Sequence, residues 1–499
     1  MTAGLILLSA YGKIDLYISY KPQITYFKII YKRHTYFSME TIDQYFSSIP
    51  SFGSQISGLL FNNGDLISDI YLTVTLPNLI LYNFNSEYSN NFVIRWVDYI
   101  GLKIIKNIEL EMNGKVIQKI NGDWLVLWYK LFGFSKYSPK IGSNEKGINK
   151  LIGNIPELTN FSKQKNAYTL TIPIPFWFAI SYGQSLPLNS INFSEVKINL
   201  ELETLNDLVI YGPLQYIKVK EDKCLFSLYE NIYQGRNTVG IFISFDSNNK
   251  YLFINTLSGS FVKSSLSVTN EILLGNNSNL IRNSKGYFMQ PVSNQINTNI
   301  NHSTNPQLSL CNLQANYIFL ENEERKRFYK TKHVYVIEQI QYYISSNIIS
   351  YNNNILLNFV NPVIELIWYL QLQTNIDNRD IINFTDNSVN GQTLFKTISI
   401  QLNGYDVFTH RSSDFTEKIQ LYQNHPNCKK LIGLNSYSFD LKPEVSQPSG
   451  SCNFSRIEKA FLQFTTVSSI NYNNTAILKI FARSYNILTI TNGVPELLF

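Results

Sequence analysis

The chain contains 499 residues, of which 44% are hydrophobic, 14% are aromatic and only 16% are charged. Ordinary soluble proteins carry roughly 25% charged residues, so a surface this poor in charge favours a protein that buries much of itself against partners. The net charge of +6 is spread thinly, without a long basic block. This argues against direct nucleic-acid binding, which selects clustered Lys and Arg.

Short strands dominate the predicted secondary structure. A mixture of apolar and aromatic residues predicts a strand at Ile24–Phe37, and alternation predicts another at Asp65–Pro77, which ends at a proline. Tyr168–Phe178 also alternates, but Pro173 and Pro175 restrict it to a sheet edge or a bulge. Many short strands separated by turn signals are typical of β-sandwiches or barrels.

Two pairs of segments resemble each other and occur in the same order along the chain. Asn113-Gly114 and Asn403-Gly404 lie at matching points of two strand-turn-strand units, which read IELEMNGKVIQ and ISIQLNGYDVF. The second pair is INFSEVKINLEL at Ile191–Leu202 and CNFSRIEKAFLQF at Cys452–Phe464. This order predicts a duplicated β-domain, because a solenoid would need at least about three stacked repeats.

A short helix is predicted after each Asn-Gly unit. In the first half, Asp123 is predicted to cap the helix and Gly133 to end it. In the second half, Asp414 and Glu417 form a pair that resembles a capping box. The predicted helix faces are Trp124, Leu127, Trp128 and Leu131 in the first helix, and Phe415, Ile419 and Tyr422 in the second.

A third predicted helix, Glu321–Lys330, is highly charged and lies between the two repeats. Its i,i+4 pairs Glu321–Arg325 and Glu323–Arg327 are typical of a solvated helix, so we interpret it as the connector. The stretch from about Tyr211 to Gln307 has no counterpart in the second half and is predicted to be an insertion. Its Asn/Ser-rich part, Asn276–Pro306, has too few apolar residues for a core and predicts a mobile loop.

The cysteines and the N-terminal segment give an expectation for the cellular compartment of the protein. The four cysteines show no C-x-x-C spacing, so the sequence predicts neither a zinc nor a redox site but free thiols in a reducing compartment. The N-terminal apolar run lacks the basic flank of a signal peptide, and no window approaches 18 uninterrupted apolar residues. The cysteines are Cys224, Cys311, Cys428 and Cys452.

The sequence predicts no catalytic, cofactor-binding or metal-binding residues. None of the five histidines stands in a metal-ligand spacing, and no nucleophile elbow, P-loop or G-x-G-x-x-G motif occurs. The sharpest enzymatic hypothesis is a triad of Ser413, Asp414 and His425. We favour the alternative that Asp414 caps a helix and His425 ends it, because proximity in sequence says little about triad geometry.

Two aromatic patterns allow a binding hypothesis beside a structural one. Tyr31–Phe37 mixes basic and aromatic residues, as a single-stranded nucleic-acid platform does, but we favour one strand with alternating faces at a subunit contact. Trp124 and Trp128 could stack on sugar rings, as in a carbohydrate-binding β-sandwich. Their helical spacing favours packing in the core instead.

Five segments resemble the major capsid protein family of nucleocytoplasmic large DNA viruses. They occur in the order of that family and span nearly the whole chain; the most specific is YSFDLKPEVSQPSGSCNFSRI at Tyr437–Ile457. Tyr36 stands where the family usually has Asn, Glu321 stands where it has Asp, and the insertion is not part of the shared pattern. The other four segments are PQITYFKIIYKRHTYFSME, WVDYIGLKIIKNIELEMNG, PIPFWFAISYGQSLPL and YIFLENEERKRF.

The resemblance implies an all-β double jelly roll, which is two eight-stranded antiparallel β-sandwiches with short helices and a long insertion in the first domain. The expected division is an N-terminal jelly roll at residues 1–320 with the insertion at about 211–307, a connecting helix at 321–330, and a C-terminal jelly roll at 331–499. Two similar domains in one chain would give a trimer six similar corners.

The resemblance also implies a structural protein of the virion, with no enzymatic activity and no cofactor. Homotrimers of pseudo-hexagonal outline would tile an icosahedral shell together with neighbouring capsomers, minor capsid proteins and penton proteins. The shell would lie over an internal membrane and assemble in the host cytoplasm. The alternatives are a low-copy minor capsid paralogue of the same fold and a carbohydrate-binding β-sandwich protein.

Overall fold

Two antiparallel β-sandwiches organise the chain in this computed structural model, the first with two four-stranded sheets and the second with a six-stranded and a four-stranded sheet. Eight strands of each sandwich form the double jelly roll that the resemblance implied, and two further short strands join the second sandwich. The residues that the structure describes are 2–10, 12–29, 31–80, 93–133, 145–212, 215–218, 226–234, 238–248, 251–258, 273–275, 307–387, 391–426, 428, 431–472 and 474–498.

The first sandwich uses strands from both ends of the first 320 residues. The strands there are β1 (Phe37–Tyr45), β2 (Gln55–Leu59), β3 (Leu66–Leu76), β4 (Leu79–Ile80), β5 (Val93–Trp96), β6 (Ile105–Met112), β7 (Lys115–Asn121), β8 (Gln164–Lys165), β9 (Tyr168–Pro173), β10 (Val196–Leu202), β11 (Val209–Gly212), β12 (Gln215–Lys218), β13 (Asn231–Gln234), β14 (Thr238–Asp246), β15 (Tyr251–Ser258), β16 (Leu273–Gly275) and β17 (Leu310–Leu320). Its two sheets have the orders β1-β17-β3-β9 and β2-β10-β6-β7.

The second sandwich repeats this arrangement. Its strands are β18 (His333–Ile348), β19 (Asn352–Leu356), β20 (Pro362–Leu372), β21 (Phe395–Leu402), β22 (Tyr405–Ser412), β23 (Asn435–Ser438), β24 (Cys452–Asn453), β25 (Ala460–Thr466), β26 (Ala476–Thr491) and β27 (Val494–Leu497). The sheet orders are β18-β26-β20-β23 and β19-β25-β21-β22, with β24 and β27 paired to β20 and β26. Each strand of the first order therefore has a counterpart in the second.

Helices are short and connect the strands. None of the helices in the described part of the chain is long and apolar enough to cross a membrane. They are α1 (Ala3–Ser9), α2 (Lys13–Ser19), α3 (Ile100–Lys103), α4 (Gly122–Phe132), α5 (Glu145–Leu151), α6 (Pro156–Thr159), α7 (Leu205–Leu208), α8 (Asn322–Lys330), α9 (Gln373–Asp377) and α10 (Gln420–Asn424), the last preceded by a π-helical turn at Phe415–Ile419.

The two predicted repeats occupy the same place in their sandwiches. Asn113-Gly114 joins β6 to β7 and Asn403-Gly404 joins β21 to β22, and all four residues have positive φ between 49° and 86°. Consecutive positive φ angles are what the tightest hairpin turns require, and Asn-Gly adopts them at little cost. The second repeat is also confirmed, because β10 pairs with β6 and β2 as β25 pairs with β21 and β19.

The predicted strand at Ile24–Phe37 is wrong. The strand is β1, which begins only at Phe37, and residues 31–36 are exposed and outside any strand. The physical reason is the length of the partner strand. β1 pairs with β17 from Phe37 opposite Leu320, and β17 ends at Leu320 just before α8 begins. An apolar run forms a strand only where another strand supplies its hydrogen bonds.

The proline-limited strands follow the sequence closely. β3 covers Leu66–Leu76 and stops before Pro77. β9 lies at the edge of its sheet and ends at Pro173, after which a turn of 3-10 helix begins at Trp177. The missing amide hydrogen of proline explains both ends, since it cannot donate to a neighbouring strand.

The caps of the two predicted helices differ from the prediction. Gly133 does end α4, but Asn121 caps it, because its side-chain oxygen accepts a hydrogen bond from the amide of Trp124 at 2.7 Å. Asp414 makes no capping hydrogen bond and instead forms an ion pair with Lys418. The predicted apolar face of the second helix is also wrong. The π-helical turn rotates the helix, so Ile419 and Tyr422 are exposed while Thr416, Glu417 and Leu421 are buried.

The charged helix α8 joins the two sandwiches in sequence, and none of its residues is buried. Arg325 does not face Glu321 as predicted. Its guanidinium donates to Asp65 of the first sandwich at 2.9 and 3.0 Å, and Asp65 also accepts from the amide of Leu320. The helix is therefore fastened to the first sandwich at the point where β17 ends.

The stretch predicted as an insertion contains a sheet of its own. Its order is β12-β15-β14-β13-β16, and it is separate from the sheets of both sandwiches. Asn378, which follows α9 in the second sandwich, donates a hydrogen bond to the carbonyl of Leu257 in β15. The segment Asn276–Pro306, predicted to be a mobile loop, lies outside the described residues.

Candidate functional site at the junction of the two sandwiches

The junction is formed by α4 of the first sandwich and β26 of the second. Trp124 of α4 packs against Phe481 of β26, with ring centroids 5.6 Å apart. Both residues are buried in one apolar cluster that runs from the first sandwich into Ile367, Leu488 and Ile490 of the second. The two sandwiches therefore share a core rather than meeting across solvent.

Asp123 holds the N-terminal end of α4 in place. Its carboxylate accepts from Lys479 of β26 at 2.6 Å and from Lys103 of α3 at 2.9 Å. Burial alone would raise the pKa of this carboxyl, but the two lysines outweigh burial and hold the pKa well below its usual range. Asp123 also lies in the first helical turn, where a negative charge is favoured.

A buried charged cluster holds the other end of α4. Glu365 of β20 bonds both Arg483 of β26 and Nε2 of His425, the latter at 2.7 Å, and Arg483 also donates to Glu338 of β18 at 2.7 Å. Phe132, the last residue of α4, covers this cluster. The Arg483 guanidinium lies 4.7 Å from its ring centroid, and the His425 ring meets it edge-on at 5.2 Å.

The cluster is charged at neutral pH. Burial raises the pKa of Glu365, but His425 and Arg483 outweigh burial and lower it to about 2. Burial lowers the pKa of His425, but Glu365 outweighs burial and raises it to about 9, with Glu444 contributing. Two cations, His425 and Arg483, thus pair with three carboxylates, Glu365, Glu338 and Glu444, in a largely buried place.

Main-chain contacts extend the junction along β18. The Gln118 side chain of β7 donates to the carbonyl of Glu338 at 3.0 Å, and Gln339 of β18 donates to the carbonyl of Ile117 at 2.6 Å. Further along β18, Tyr335 packs on Trp177 with ring centroids 4.9 Å apart. Together these contacts oppose both sliding and rotation of one sandwich against the other.

The structure does not bring the hypothetical triad together. His425 is buried and bonds Glu365, whereas Asp414 is exposed and pairs with Lys418 at 2.5 Å. His425 does end its helix, as the favoured alternative had it. Among the described residues, no group of three or more His, Cys, Asp or Glu side chains is placed to hold a metal ion.

The predicted packing of the two tryptophans of α4 in the core is confirmed. Trp124 and Trp128 are both buried, so neither ring is available to stack on a sugar. Sequence reasoning missed Glu365, Arg483 and Phe132. A signal was present: Glu365 is the single charge of the apolar strand β20, and Arg483 lies inside the largely apolar strand β26. Buried charges of this kind are rare unless they are paired.

Family models match both parts of the chain. One described as "Major capsid protein N-terminus" matches residues 25–232, and one described as "Large eukaryotic DNA virus major capsid protein" matches residues 324–495. Probable capsid protein 4 of Acanthamoeba polyphaga mimivirus is 31% identical over 519 aligned residues, covering 100% of this chain and 99% of the relative. The chain belongs to the major capsid protein family of large eukaryotic DNA viruses.

Other capsid proteins of the family support this membership. The major capsid protein of Paramecium bursaria Chlorella virus 1 is 26% identical over 547 residues, covering 100% of both chains. A solved chain titled as the PBCV-1 virus capsid covers 95% of this chain and 100% of its own, with 23% identity and a TM-score of 0.62. The Faustovirus major capsid protein covers 98% and 96%, with 13% identity and a TM-score of 0.65. At these identities the structures show the fold alone, the double jelly roll.

Proposed function

We propose that this capsid protein is purely structural, and that three copies form a pseudo-hexagonal capsomer that tiles an icosahedral shell. The supporting observation is the repeated strand order of the two sandwiches, which are fastened to each other by α4 and the buried cluster. One chain thereby supplies two similar bodies at a fixed angle, and a closed ring of three copies would present six.

The proposed domain division follows the same repeat. The first jelly roll comprises residues 1–320 with the insertion at about 211–307, the connector comprises 321–330, and the second jelly roll comprises 331–499. The strand orders on either side of α8 support it, since each sandwich takes its described strands from one side only.

The proposed partners are neighbouring capsomers, minor capsid proteins and penton proteins, with assembly in the host cytoplasm. We propose neither catalysis nor direct nucleic-acid binding. Buried His425 and the ion-paired Asp414 support the absence of catalysis, and the modest net charge of +6 supports the absence of nucleic-acid binding.

A low-copy capsid paralogue of the same fold is the second candidate. One observation favours it: a relative in Acanthamoeba polyphaga mimivirus is named "Probable capsid protein 4", and another relative in that virus, 28% identical over 386 residues, is named "Capsid protein 1". Copy number in purified particles separates the two candidates. A major component would dominate the virion protein, and a paralogue would be present in a few copies.

Light scattering after size exclusion tests the capsomer. Three copies of 57.6 kDa would give a particle of 172.8 kDa, and negative-stain images would show a pseudo-hexagonal outline. The melting temperature would rise with protein concentration, because association stabilises the folded chain by mass action. A clean monomer at micromolar concentration with concentration-independent melting would refute the proposal.

A further inference from the structure

The residues before β1 form an arm that lies outside the first sandwich. Every residue of this arm whose exposure the structure describes is exposed, including all of α1. The exposed fractions of its large apolar and aromatic side chains range from 54% for Ile6 to 98% for Phe27. Large apolar surfaces that remain in water mark sites of contact with proteins or membranes. The arm is therefore a surface that another body covers.

Basic residues are interspersed with the apolar residues of this arm. The arm has one acidic residue, Asp15, and tyrosines such as Tyr20 and Tyr26 accompany the aliphatic side chains. Its basic residues are Lys13, Lys21, Lys28, Lys32 and Arg33. This mixture is typical of segments that lie in the interface of a membrane, where the cations meet anionic headgroups and the apolar side chains reach the acyl chains.

The basic end of α8 belongs to the same end of the sandwich. β1 begins opposite the last residue of β17, and α8 follows β17 directly, so the arm and α8 leave the sandwich side by side. The acidic residues of α8 lie in its first turn, whereas its last turn carries Arg327 and Lys330. Lys326 and Lys332 beside them are also exposed. The positive charge of the arm is thus continued by the helix.

A cleft of about 410 Å³ lies between α8 and two loops of the first sandwich at this end. Lys326 and Lys330 line it on the helix side, and the carboxylate in its lining, that of Asp65, is already bound by Arg325. Four asparagines line it on the loop side: Asn62, Asn63, Asn189 and Asn192. Ammonium groups and side-chain amides donate hydrogen bonds to phosphate oxygens. The cleft can therefore take an anionic headgroup.

Exposed aromatic rings stand beside this cleft. Phe61 precedes one of its asparagines in the chain, Phe193 follows another, and Tyr329 is part of the lining. All three rings are exposed. Aromatic side chains at the level of the headgroups are typical of surfaces that face a membrane. A free anion in the cleft would leave these rings in water, whereas a lipid surface would cover them.

We propose that this end of the first sandwich binds an anionic phospholipid surface, with the arm in the interface of the bilayer and a headgroup phosphate in the cleft. The bilayer removes the apolar side chains of the arm from water. Lys326 and Lys330 meet the negative charge of the lipids. The contact goes beyond the proposed capsomer and does not depend on it.

Other partners fit these residues less well. A single-stranded nucleic acid would suit the basic and aromatic residues, because its bases stack on rings. It would leave the aliphatic run Leu5–Leu8 of α1 uncovered, although each of these side chains is more than half exposed. Pairing between the arms of two copies would bring their basic residues together, and such like-charge contacts are unfavourable. The aliphatic and basic residues together favour the lipid surface.

Flotation of the 499-residue chain with lipid vesicles tests the contact. The chain should bind vesicles that contain phosphatidylserine at least about tenfold more tightly than vesicles of phosphatidylcholine alone, and added salt should weaken this binding. Equal binding to both kinds of vesicle, or binding to neither, would overturn the proposal. A single-stranded oligonucleotide in a parallel measurement shows whether the second outcome reflects a nucleic-acid partner.

Substitutions in the cleft separate its role from a general effect of charge. Lys326→Glu combined with Lys330→Glu should weaken binding to the phosphatidylserine vesicles by at least about tenfold. Lys150→Glu combined with Lys163→Glu changes the net charge equally and is the matched control. Both control lysines are exposed at the opposite end of the sandwich, where Tyr168 pairs with the last residue of β3. Equal losses in the two double variants would refute the cleft.

The arm has its own variant. Leu8 is 79% exposed, and Leu8→Ser should weaken vesicle binding by about tenfold because the lipid would no longer bury a leucine. Leu228→Ser is the matched control, since Leu228 is 65% exposed but precedes β13 in the insertion, and it should bind as the wild type does. Unchanged binding of Leu8→Ser would refute the role of the arm.

Two further measurements keep these outcomes interpretable. Circular dichroism of every variant should match that of the wild type, because all the substituted side chains are exposed. Light scattering of the same samples separates this proposal from the capsomer. A trimer that binds no vesicles would refute the lipid contact alone, whereas a monomer that binds them would refute the capsomer alone.

Discussion

Arg483 of β26 lies over the ring of Phe132, the last residue of α4, with its guanidinium carbon 4.7 Å from the ring centroid. This contact joins the two sandwiches, and the His425 ring meets the same phenyl ring edge-on. The guanidinium is held by ion pairs with Glu365 and Glu338, which fix its position beside the ring. A cation held against a buried aromatic ring restrains the angle between the two sandwiches.

Removing the Phe132 ring should destabilise the whole chain. Phe132→Ala is expected to lower the free energy of unfolding by about 3–5 kcal/mol, because it removes a buried aromatic side chain and leaves a cavity. Urea denaturation measures the change. Phe27→Ala is the control, since Phe27 is almost fully exposed, and it should have no measurable effect. Equal stability of Phe132→Ala and wild type would contradict the role given to this contact.

Neutralising Glu365 should break the buried cluster. Glu365→Gln is expected to cost about 3–5 kcal/mol, because His425 and Arg483 would lose the carboxylate that lies between them. Glu195→Gln is the matched control: this carboxylate pairs with Lys197 at the surface, and its loss should cost at most about 1 kcal/mol. Similar effects of the two substitutions in chemical denaturation would rule out a special role for the cluster.

The stability of the fold should decrease at alkaline pH, because His425 loses its proton there. Its pKa is raised to about 9 in the folded chain from an ordinary value of 6.5, so the imidazolium stabilises the fold fully below pH 6.5. The contribution is lost as the pH rises through 9. We expect the melting temperature of the wild type to fall between these values, and His425→Gln to flatten that part of the profile. A wild-type profile that the substitution leaves unchanged would show that His425 does not carry this dependence.

The two Asn-Gly turns should respond alike to alanine. Gly114 and Gly404 have φ of +71° and +86°, and an added Cβ would meet nothing within 4 Å at either position. The cost is therefore purely conformational, roughly 1–2 kcal/mol for each of Gly114→Ala and Gly404→Ala. Gly4→Ala is the control: Gly4 also meets nothing within 4 Å, has no positive φ and lies in helix α1, where alanine is favoured, so this substitution should not destabilise the chain. Thermal melting of the three variants measures this, and unequal costs at the two turns would contradict their equivalence.

Much of the fold could be predicted because the relevant signals are local. Asn-Gly sets the hairpin turns, Pro77 and Pro173 limit strands, and Gly133 ends a helix, each through dihedral angles or hydrogen bonds a few residues away. The candidate site was not predictable in this way. Glu365 and Arg483 are 118 residues apart, and the sequence around each residue does not indicate which residue it pairs with.

The sequence by itself therefore determined the turns, the duplicated strands and the division into two similar halves. Only the tertiary structure decided where β1 begins. The strand extends only as far as β17 supplies hydrogen-bonding partners, and its first pair is Phe37 with Leu320. The tertiary structure also decided that Asn121 caps α4, which left Asp123 free to bind Lys479 of the other sandwich. Turn geometry is a property of neighbouring residues, whereas strand ends and ion pairs depend on which distant residue arrives beside them.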